Sequence, residues 1–153
     1  MNFESFEKII GFAIEKEKEA AAFYTELAKQ TSFTGVREFL EEMAQEEKKH
    51  QAMLETIQNN KEALEEYKLK WIPDLKVSDY MIDLKYQNGM IYTDILRLAM
   101  KREEQALKMY NELQKGMDNT EYIKLLKVLC QEEAKHKLFL EKLYDEEMAK
   151  QGG

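Results

Sequence analysis

Two short motifs constrain the fold of this chain more than any other feature of its sequence. Glu47 to His50 (Glu-Lys-Lys-His) and Glu133 to His136 (Glu-Ala-Lys-His) share the form Glu-x-x-His and contain the only two histidines present. Residues three apart lie on one face of an α-helix, so each Glu is expected to point the same way as its His. The second motif follows the first by 86 residues. Repetition at a fixed offset predicts two equivalent halves.

Apolar residues at spacings of three and four predict helices over residues 5–30, 33–58, 94–116 and 120–148. Ser5, then Ser32 or Thr34, then Asn119 or Thr120 are the expected N-terminal caps of the first, second and fourth helices. Each helix has one stripe of residues expected to form the core. The stripes are Phe6, Ile10, Ala13, Glu17, Ala21, Tyr24 and Ala28; Val36, Leu40, Met43, Glu47, His50, Leu54 and Ile57; Leu96, Ala99, Glu103, Ala106, Tyr110 and Leu113; and Tyr122, Leu126, Leu129, Glu133, His136, Leu140 and Leu143.

Residues 59–92 lack sustained periodicity, apart from a charged and helix-compatible start at 61–70. A structureless loop of this length is unusual inside a compact domain, whereas a connection that travels the length of a helical bundle explains it. We therefore expect a single domain over residues 1–153, an all-α four-helix bundle of two helical hairpins joined by one long crossover. The larger apolar residues of the crossover are expected to cover an edge of the core or to contact another subunit. These residues are Trp71, Ile72, Val77, Tyr80 and Met81.

Glutamates on the stripes of the first and third helices extend the repeat. Glu17 and Glu103 are also 86 residues apart, and so are Tyr24 and Tyr110. Glu17 belongs to the charged run 15–19, which favours a solvated position, but its helical phase favours burial. An unpaired carboxylate costs several kcal/mol to bury, and several together repel one another. Two divalent cations would balance the four negative charges of a buried quartet of glutamates.

Two simpler interpretations remain open at this point. A single Glu-x-x-His in a Glu-rich helix is usually a surface pair, and His50 and His136 could be neutral core residues that hydrogen-bond to glutamates. Repetition at one offset, on stripe positions and with a matching Glu on each partner helix, favours metal binding. The expected ligands are Glu17, Glu47, His50, Glu103, Glu133 and His136.

Composition narrows the class of protein. The net charge of −7 argues against a nucleic-acid partner, and the hydrophobic content of 44% is too high for a disordered chain. The single cysteine, Cys130, excludes a disulfide framework within the chain and a site built on Cys-x-x-Cys. The first residues lack the basic and apolar regions of a signal peptide, and no apolar run reaches the length of a membrane span. We expect a cytoplasmic protein without a membrane partner.

The chain resembles the ferritin-like di-iron carboxylate proteins, in which two helices supply Glu and the other two supply Glu-x-x-His. Within that class it resembles the rubrerythrin group, and the likeness covers all four predicted helices. The segments that carry it are residues 13–20, 39–50, 99–110 and 132–136. The resemblance implies that Glu17 and Glu103 are metal ligands, that Glu47 and Glu133 bridge or chelate, and that the two histidines complete the sites.

By the same resemblance, Tyr24 and Tyr110 would hydrogen-bond to ligand carboxylates, although both also fit as ordinary core aromatics. The expected cofactor is a pair of iron ions, with manganese or a mixed iron–manganese pair as alternatives. The implied activity is reduction of hydrogen peroxide or dioxygen with electrons from a separate carrier such as a rubredoxin. Iron oxidation or storage without peroxidase turnover, and a structural bundle with a vestigial site, are the alternatives. A homodimer is also suggested.

The sequence departs from rubrerythrin proper in two respects. Its single cysteine cannot supply the four iron-binding cysteines of a rubredoxin domain, so a separate electron donor is expected. Ala106 stands where rubrerythrin has a further Glu, so a seventh ligand, which would be a fifth carboxylate, is not expected at this position. Cys130 precedes Glu133 by one turn and is expected to be a small buried hydrophobe rather than a redox thiol.

Overall fold

The computed structural model describes residues 5–70, 72, 73, 75, 85, 87 and 89–152. The secondary structure of these residues consists of five α-helices. They are α1 (Phe6–Gln30), α2 (Thr34–Asn59), α3 (Glu62–Glu66), α4 (Tyr92–Gln114) and α5 (Thr120–Lys150). The four long helices match the predicted stretches to within two residues at each end, and the short α3 lies in the predicted crossover.

The chain divides into two compact units. The first unit contains α1, α2 and α3 together with Asn119–Leu125, and the second contains α4 and the remainder of α5. None of the helices in the described ranges is long and apolar enough to cross a membrane.

In the first unit, α1 and α2 form a hairpin around the three residues 31–33. Ser5 caps α1 as predicted, because its Oγ accepts a hydrogen bond of 3.2 Å from the backbone N–H of Lys8. The predicted caps of α2 at Ser32 or Thr34 were wrong, since Phe33 occupies the N-cap and makes no side-chain capping bond. Thr31 orders this turn instead: its Oγ1 accepts from the Phe33 N–H at 3.3 Å, and its carbonyl accepts from Arg37 at 3.1 Å.

Every residue of the predicted α1 and α2 stripes is buried, including Glu17, while Glu15 and Glu19 are exposed. The helical phase of Glu17, rather than its place in a charged run, therefore determined its environment. Glutamate is rarely buried without compensation, so this position requires a chemical explanation.

Lys61, which directly precedes α3, contacts residues at the start of α1 and at the start of α5. Its Nζ lies 4.7 Å from the centroid of the Phe6 ring, 3.8 Å from Glu7 Oε1 and 4.0 Å from Glu121 Oε2. The Phe6 ring also contacts Tyr122, with the centroids 6.3 Å apart. These contacts attach the beginning of α5 to α1 and α3.

In the second unit, α4 and α5 run antiparallel. Arg97, near the start of α4, donates from Nε and Nη2 to Tyr144 Oη at 3.1 and 2.9 Å, and Gln114 at its end donates to Cys130 Sγ at 3.2 Å. The hydrogen bond to Tyr144 is the main cause that raises the pKa of Arg97, and Asp94 contributes. At the other end of α5, which belongs to the first unit, Asn119 caps the helix as predicted and accepts hydrogen bonds from the N–H groups of residues 121 and 122 at 2.9 and 3.1 Å.

The buried surface of α5 is wider than the predicted stripe. Buried residues outside the stripe are Leu125, Val128, Gln131, Lys137, Glu141 and Tyr144. Four predicted core residues of α4 and α5 are only half-buried, namely Ala106, Leu113, Tyr122 and Leu143.

The segment after α3 contacts the buried side of α5 that lies outside the predicted stripe, because the Lys70 N–H donates to Gln131 Oε1 at 2.5 Å. Of the apolar crossover residues, Ile72 is half-buried, and Trp71, Val77, Tyr80 and Met81 lie outside the described residues.

Candidate metal centre

The first unit brings together three of the predicted ligands, Glu17 from α1 with Glu47 and His50 from α2. Their exposed fractions are 2%, 1% and 6%. His50 Nδ1 lies 3.5 Å from Glu17 Oε2 and 3.9 Å from Glu47 Oε2. One potential ligand atom from each of the three lies within 4.8 Å of the others. We call these residues the first cluster.

The hairpin explains why these side chains meet. Glu17 lies 14 residues before Thr31, where the turn begins, and Glu47 lies 14 residues after Phe33, where it ends. In an antiparallel pair of helices with equal rise per residue, such positions lie at the same level. His50 follows one turn after Glu47 on the same face. The sequence pattern and the short turn together therefore determine the cluster.

The second unit contains the equivalent set, Glu103 from α4 with Glu133 and His136 from α5. Their exposed fractions are 3%, 3% and 7%. His136 Nδ1 lies 3.6 Å from Glu103 Oε1, and ligand atoms from the three residues lie within 4.8 Å of one another. We call these residues the second cluster. Each unit thus buries two carboxylates and one imidazole drawn from the same positions of the repeat.

The donor set of each cluster fits a divalent metal ion. Carboxylate oxygen and imidazole nitrogen suit iron, manganese and zinc, and the absence of thiolate from both clusters argues against a structural zinc site of the cysteine type. Each cluster has a formal charge of −2 when both glutamates are ionised, which one divalent cation would neutralise. A bound cation would also offset the cost of desolvating the carboxylates.

Tyr24 and Tyr110 are both 1% exposed and lie two turns after Glu17 and Glu103. The Tyr24 ring meets Phe23 edge-on at 5.3 Å between centroids. Hydrogen bonding of the two tyrosine hydroxyls to ligand carboxylates stays a prediction. Ala106, at the position of the further glutamate of rubrerythrin, is half-buried and offers no ligand atom.

The sequence interpretation missed three buried polar residues of α5, namely Gln131, Lys137 and Glu141. The exposed fraction of Lys137 is 3% and that of Glu141 is 0%. Apolar residues off the predicted stripe at positions 125 and 128 are the signal that could have shown a second buried face.

Cys130 is half-buried, and its thiol is held between two amide side chains. Its Sγ accepts from Gln114 at 3.2 Å and donates to Asn111 Oδ1 at 3.4 Å. Burial raises the pKa of Cys130 to about 11, and the Gln114 hydrogen bond opposes this rise. The thiol is therefore protonated at neutral pH, unlike a reactive redox thiol.

At pH 8 the Cys130 thiol of the folded chain is expected to react with a disulfide reagent roughly ten to a hundred times more slowly than the same thiol of the chain unfolded in urea. An unfolded thiol, with a pKa of about 8.5, has far more thiolate at that pH, although the higher pKa partly compensates through greater nucleophilicity. Because the folded state holds this proton more tightly, the thiol should lower stability as the pH rises from about 8.5 to about 11. Equal rates in buffer and urea at pH 8 would contradict the assignment.

Comparison with known proteins identifies the family. A family model described as Rubrerythrin matches residues 8–144, most of the chain. The chain belongs to the rubrerythrin family. No curated protein matches it in sequence.

Two solved structures resemble this rubrerythrin-family chain along nearly its whole length. A hypothetical protein from Pyrococcus furiosus is 26% identical, with a TM-score of 0.54 over 93% of this chain and 89% of the other. A protein from Thermotoga maritima, provisionally assigned as a ferritin-like diiron-carboxylate protein, is 21% identical, with a TM-score of 0.56 over 92% and 95% of the two chains. The prediction of an all-α, ferritin-like fold is confirmed. Each buried cluster of Glu and His residues is a candidate metal site within that fold.

Proposed function

We propose that this rubrerythrin-family chain is a non-haem di-iron peroxidase whose two clusters together hold two metal ions. The observation that carries the proposal is the repeated burial of two carboxylates and one imidazole at equivalent positions of the two units. The family supports it as well, since ferritin-like di-iron proteins use this ligand pattern.

The charges of the six residues support two ions rather than one. Four ionised glutamates carry −4, which two divalent cations neutralise. In the proposed arrangement Glu17 and Glu103 would be metal ligands, and His50 and His136 would complete the two sites. Glu47 and Glu133 would bridge or chelate. Iron is the proposed metal because the reaction needs a redox-active centre, with manganese or a mixed pair as the alternative.

The proposed reaction converts one hydrogen peroxide, two protons and two electrons into two waters. Bound iron would supply the two electrons, since neither glutamate nor histidine side chains can do so. The protein would exclude bulk water from the site through the apolar stripes around the clusters. Its carboxylates would adjust between bridging and chelating modes as the charge of the site changes. A separate electron carrier in the cytoplasm, such as a rubredoxin, would then restore the reduced state.

The test is stopped-flow spectroscopy of the protein loaded anaerobically with ferrous iron. We expect hydrogen peroxide to change the visible spectrum at least about tenfold faster than dioxygen at equal concentration, a difference of about 1.4 kcal/mol in barrier. The Glu17→Ala variant should lose the fast phase, while Glu19→Ala, altering a 63%-exposed side chain two residues away, should keep it.

Other results would replace the proposal. Faster oxidation by dioxygen, with many irons retained per chain, would indicate iron oxidation and storage. A spectrum unchanged by either oxidant would indicate a vestigial site in a structural protein.

A further inference from the structure

A groove of about 360 Å³ lies between α1 and α2 in the first unit. Its walls include the small side chains of Ala21 and Ala22 and the long side chains of Lys18, Lys29 and Lys48. We call this surface the lysine groove. All of its lining residues belong to the two helices that carry the first cluster.

The lysine groove is positively charged on a chain whose net charge is −7. Its lining contains three lysines and one glutamate, Glu26. Lys18 pairs with Glu15 at 3.4 Å, but neither Lys29 nor Lys48 forms an ion pair with another residue of the described ranges. These two charges remain available to an acidic partner.

The sequence explains why Lys48 is not neutralised within its own helix. Side chains three or four positions away are its nearest helical neighbours, and at Lys48 these are Ala44, Gln45, Gln51 and Ala52, none of them acidic. The next residue, Lys49, pairs instead with Glu46 at 3.0 Å.

The groove lies beside the proposed redox centre. Lys18, Lys48 and Gln51 directly follow Glu17, Glu47 and His50, the three residues of the first cluster. Successive residues of a helix are separated by about 100° around its axis, and a helix with its side chains is about 10–12 Å across. The lysine groove and the first cluster therefore lie on adjacent faces of the same two helices, within about one helix width of each other.

The repeat shows that one side of α5 is more buried than the same side of α2. Gln131 and Glu141 are buried, whereas Gln45 and Glu55, their counterparts 86 residues earlier, are exposed. The chain itself contacts this side of α5, through the hydrogen bond from the Lys70 N–H to Gln131. On α2 the same side is accessible, and Lys48 of the lysine groove is exposed there.

We propose that the lysine groove is the docking site of an acidic electron-carrier protein. This inference rests on the proposed function, because it assigns the groove to the delivery of electrons. The carrier would be oxidised by one electron at each encounter, and two encounters would restore the centre after each peroxide. Complementary charge would speed and orient the encounter.

The experiment uses a rubredoxin, a small acidic one-electron carrier, as the probe. It is titrated into the full-length isotope-labelled protein at low ionic strength, with and without metal, and amide shifts are followed by NMR. We expect the shifts to cluster around Lys18, Lys48 and Gln51, and the affinity to fall as salt is added. The paired change Lys18→Glu and Lys48→Glu should raise the Kd by about tenfold or more, because it reverses two interfacial charges.

The control is the paired change Lys16→Glu and Lys49→Glu, which alters net charge equally at lysines outside the groove lining that already pair with Glu19 and Glu46. This control should change the Kd by less than about twofold, since it leaves the interface charges in place. Circular dichroism would verify that both variants fold. Equal weakening by the two pairs, or shifts confined to other faces, would overturn the docking site.

The same measurements separate the two proposals. Binding in the groove by a protein whose iron-loaded form does not reduce peroxide would support the docking surface and defeat the proposed function. Peroxide turnover with a chemical reductant, combined with no rubredoxin binding in the groove, would defeat the docking site alone.

Discussion

The Glu47→Ala variant is expected to bind clearly fewer divalent metal ions than the unaltered chain, for which we expect about two per chain. Glu47 is 1% exposed and its carboxylate lies 3.9 Å from His50 Nδ1. Truncation to Ala removes one of the two carboxylates of the first cluster and half of its negative charge. If Glu47 also bridges the two ions, as proposed, the affinity for both ions should fall. Metal analysis after anaerobic loading and desalting measures the change.

The matched control is Glu46→Ala, the adjacent residue of the same helix. Glu46 forms an exposed ion pair with Lys49, of a kind that contributes little to stability, and its side chain is 45% exposed. It should retain the metal content of the unaltered chain. Retention of about two ions by Glu47→Ala would refute the ligand assignment. Loss in both variants would show that the effect is not specific to the cluster.

The stripe patterns were enough to predict that the glutamates and histidines of both clusters are buried. Helical phase placed Glu17 in the interior despite its charged neighbours, and Glu47 with His50 followed from spacing within one helix. The turn at 31–33 then set which levels of α1 and α2 face each other. Helical phase, spacing within one helix and the length of a turn are all local properties, so they can be read from the sequence alone.

The second buried face of α5 could not be predicted in the same way. Lys137 and Glu141 look like ordinary surface residues of a charged helix, one turn apart. Gln131 is buried where a distant segment reaches it, as the hydrogen bond from Lys70 shows. That segment has no sequence periodicity from which its path could be derived. The prediction of the α2 cap was wrong for a related reason. Thr31 and Arg37 order the turn through contacts that capping rules do not include.

Metal loading is expected to raise the melting temperature of the chain by roughly 8–16 °C. A ligand present at a thousand times its Kd stabilises the folded state by about 4 kcal/mol, and each kcal/mol shifts the melting temperature of a domain of this size by about 2–4 °C. The clusters are nearly inaccessible to solvent, with exposed fractions between 1% and 7%. Bound cations would relieve repulsion and desolvation that water cannot relieve there. Calorimetry of the metal-free and the iron-loaded protein measures the shift.

The repeat provides a matched pair of variants for this prediction. His50→Ala and His136→Ala remove the imidazole of the first and second cluster, and the equivalence of the two halves predicts reductions of similar size in the metal-dependent shift. The double variant should lose most of it. Glu132→Ala, next to a proposed ligand but paired with Lys135 at 3.3 Å, should keep the full shift. An undiminished shift in the double variant would exclude the histidines as ligands. A loss confined to His50→Ala would show that only the first cluster binds metal, and the balance of two cations against four carboxylates would no longer hold.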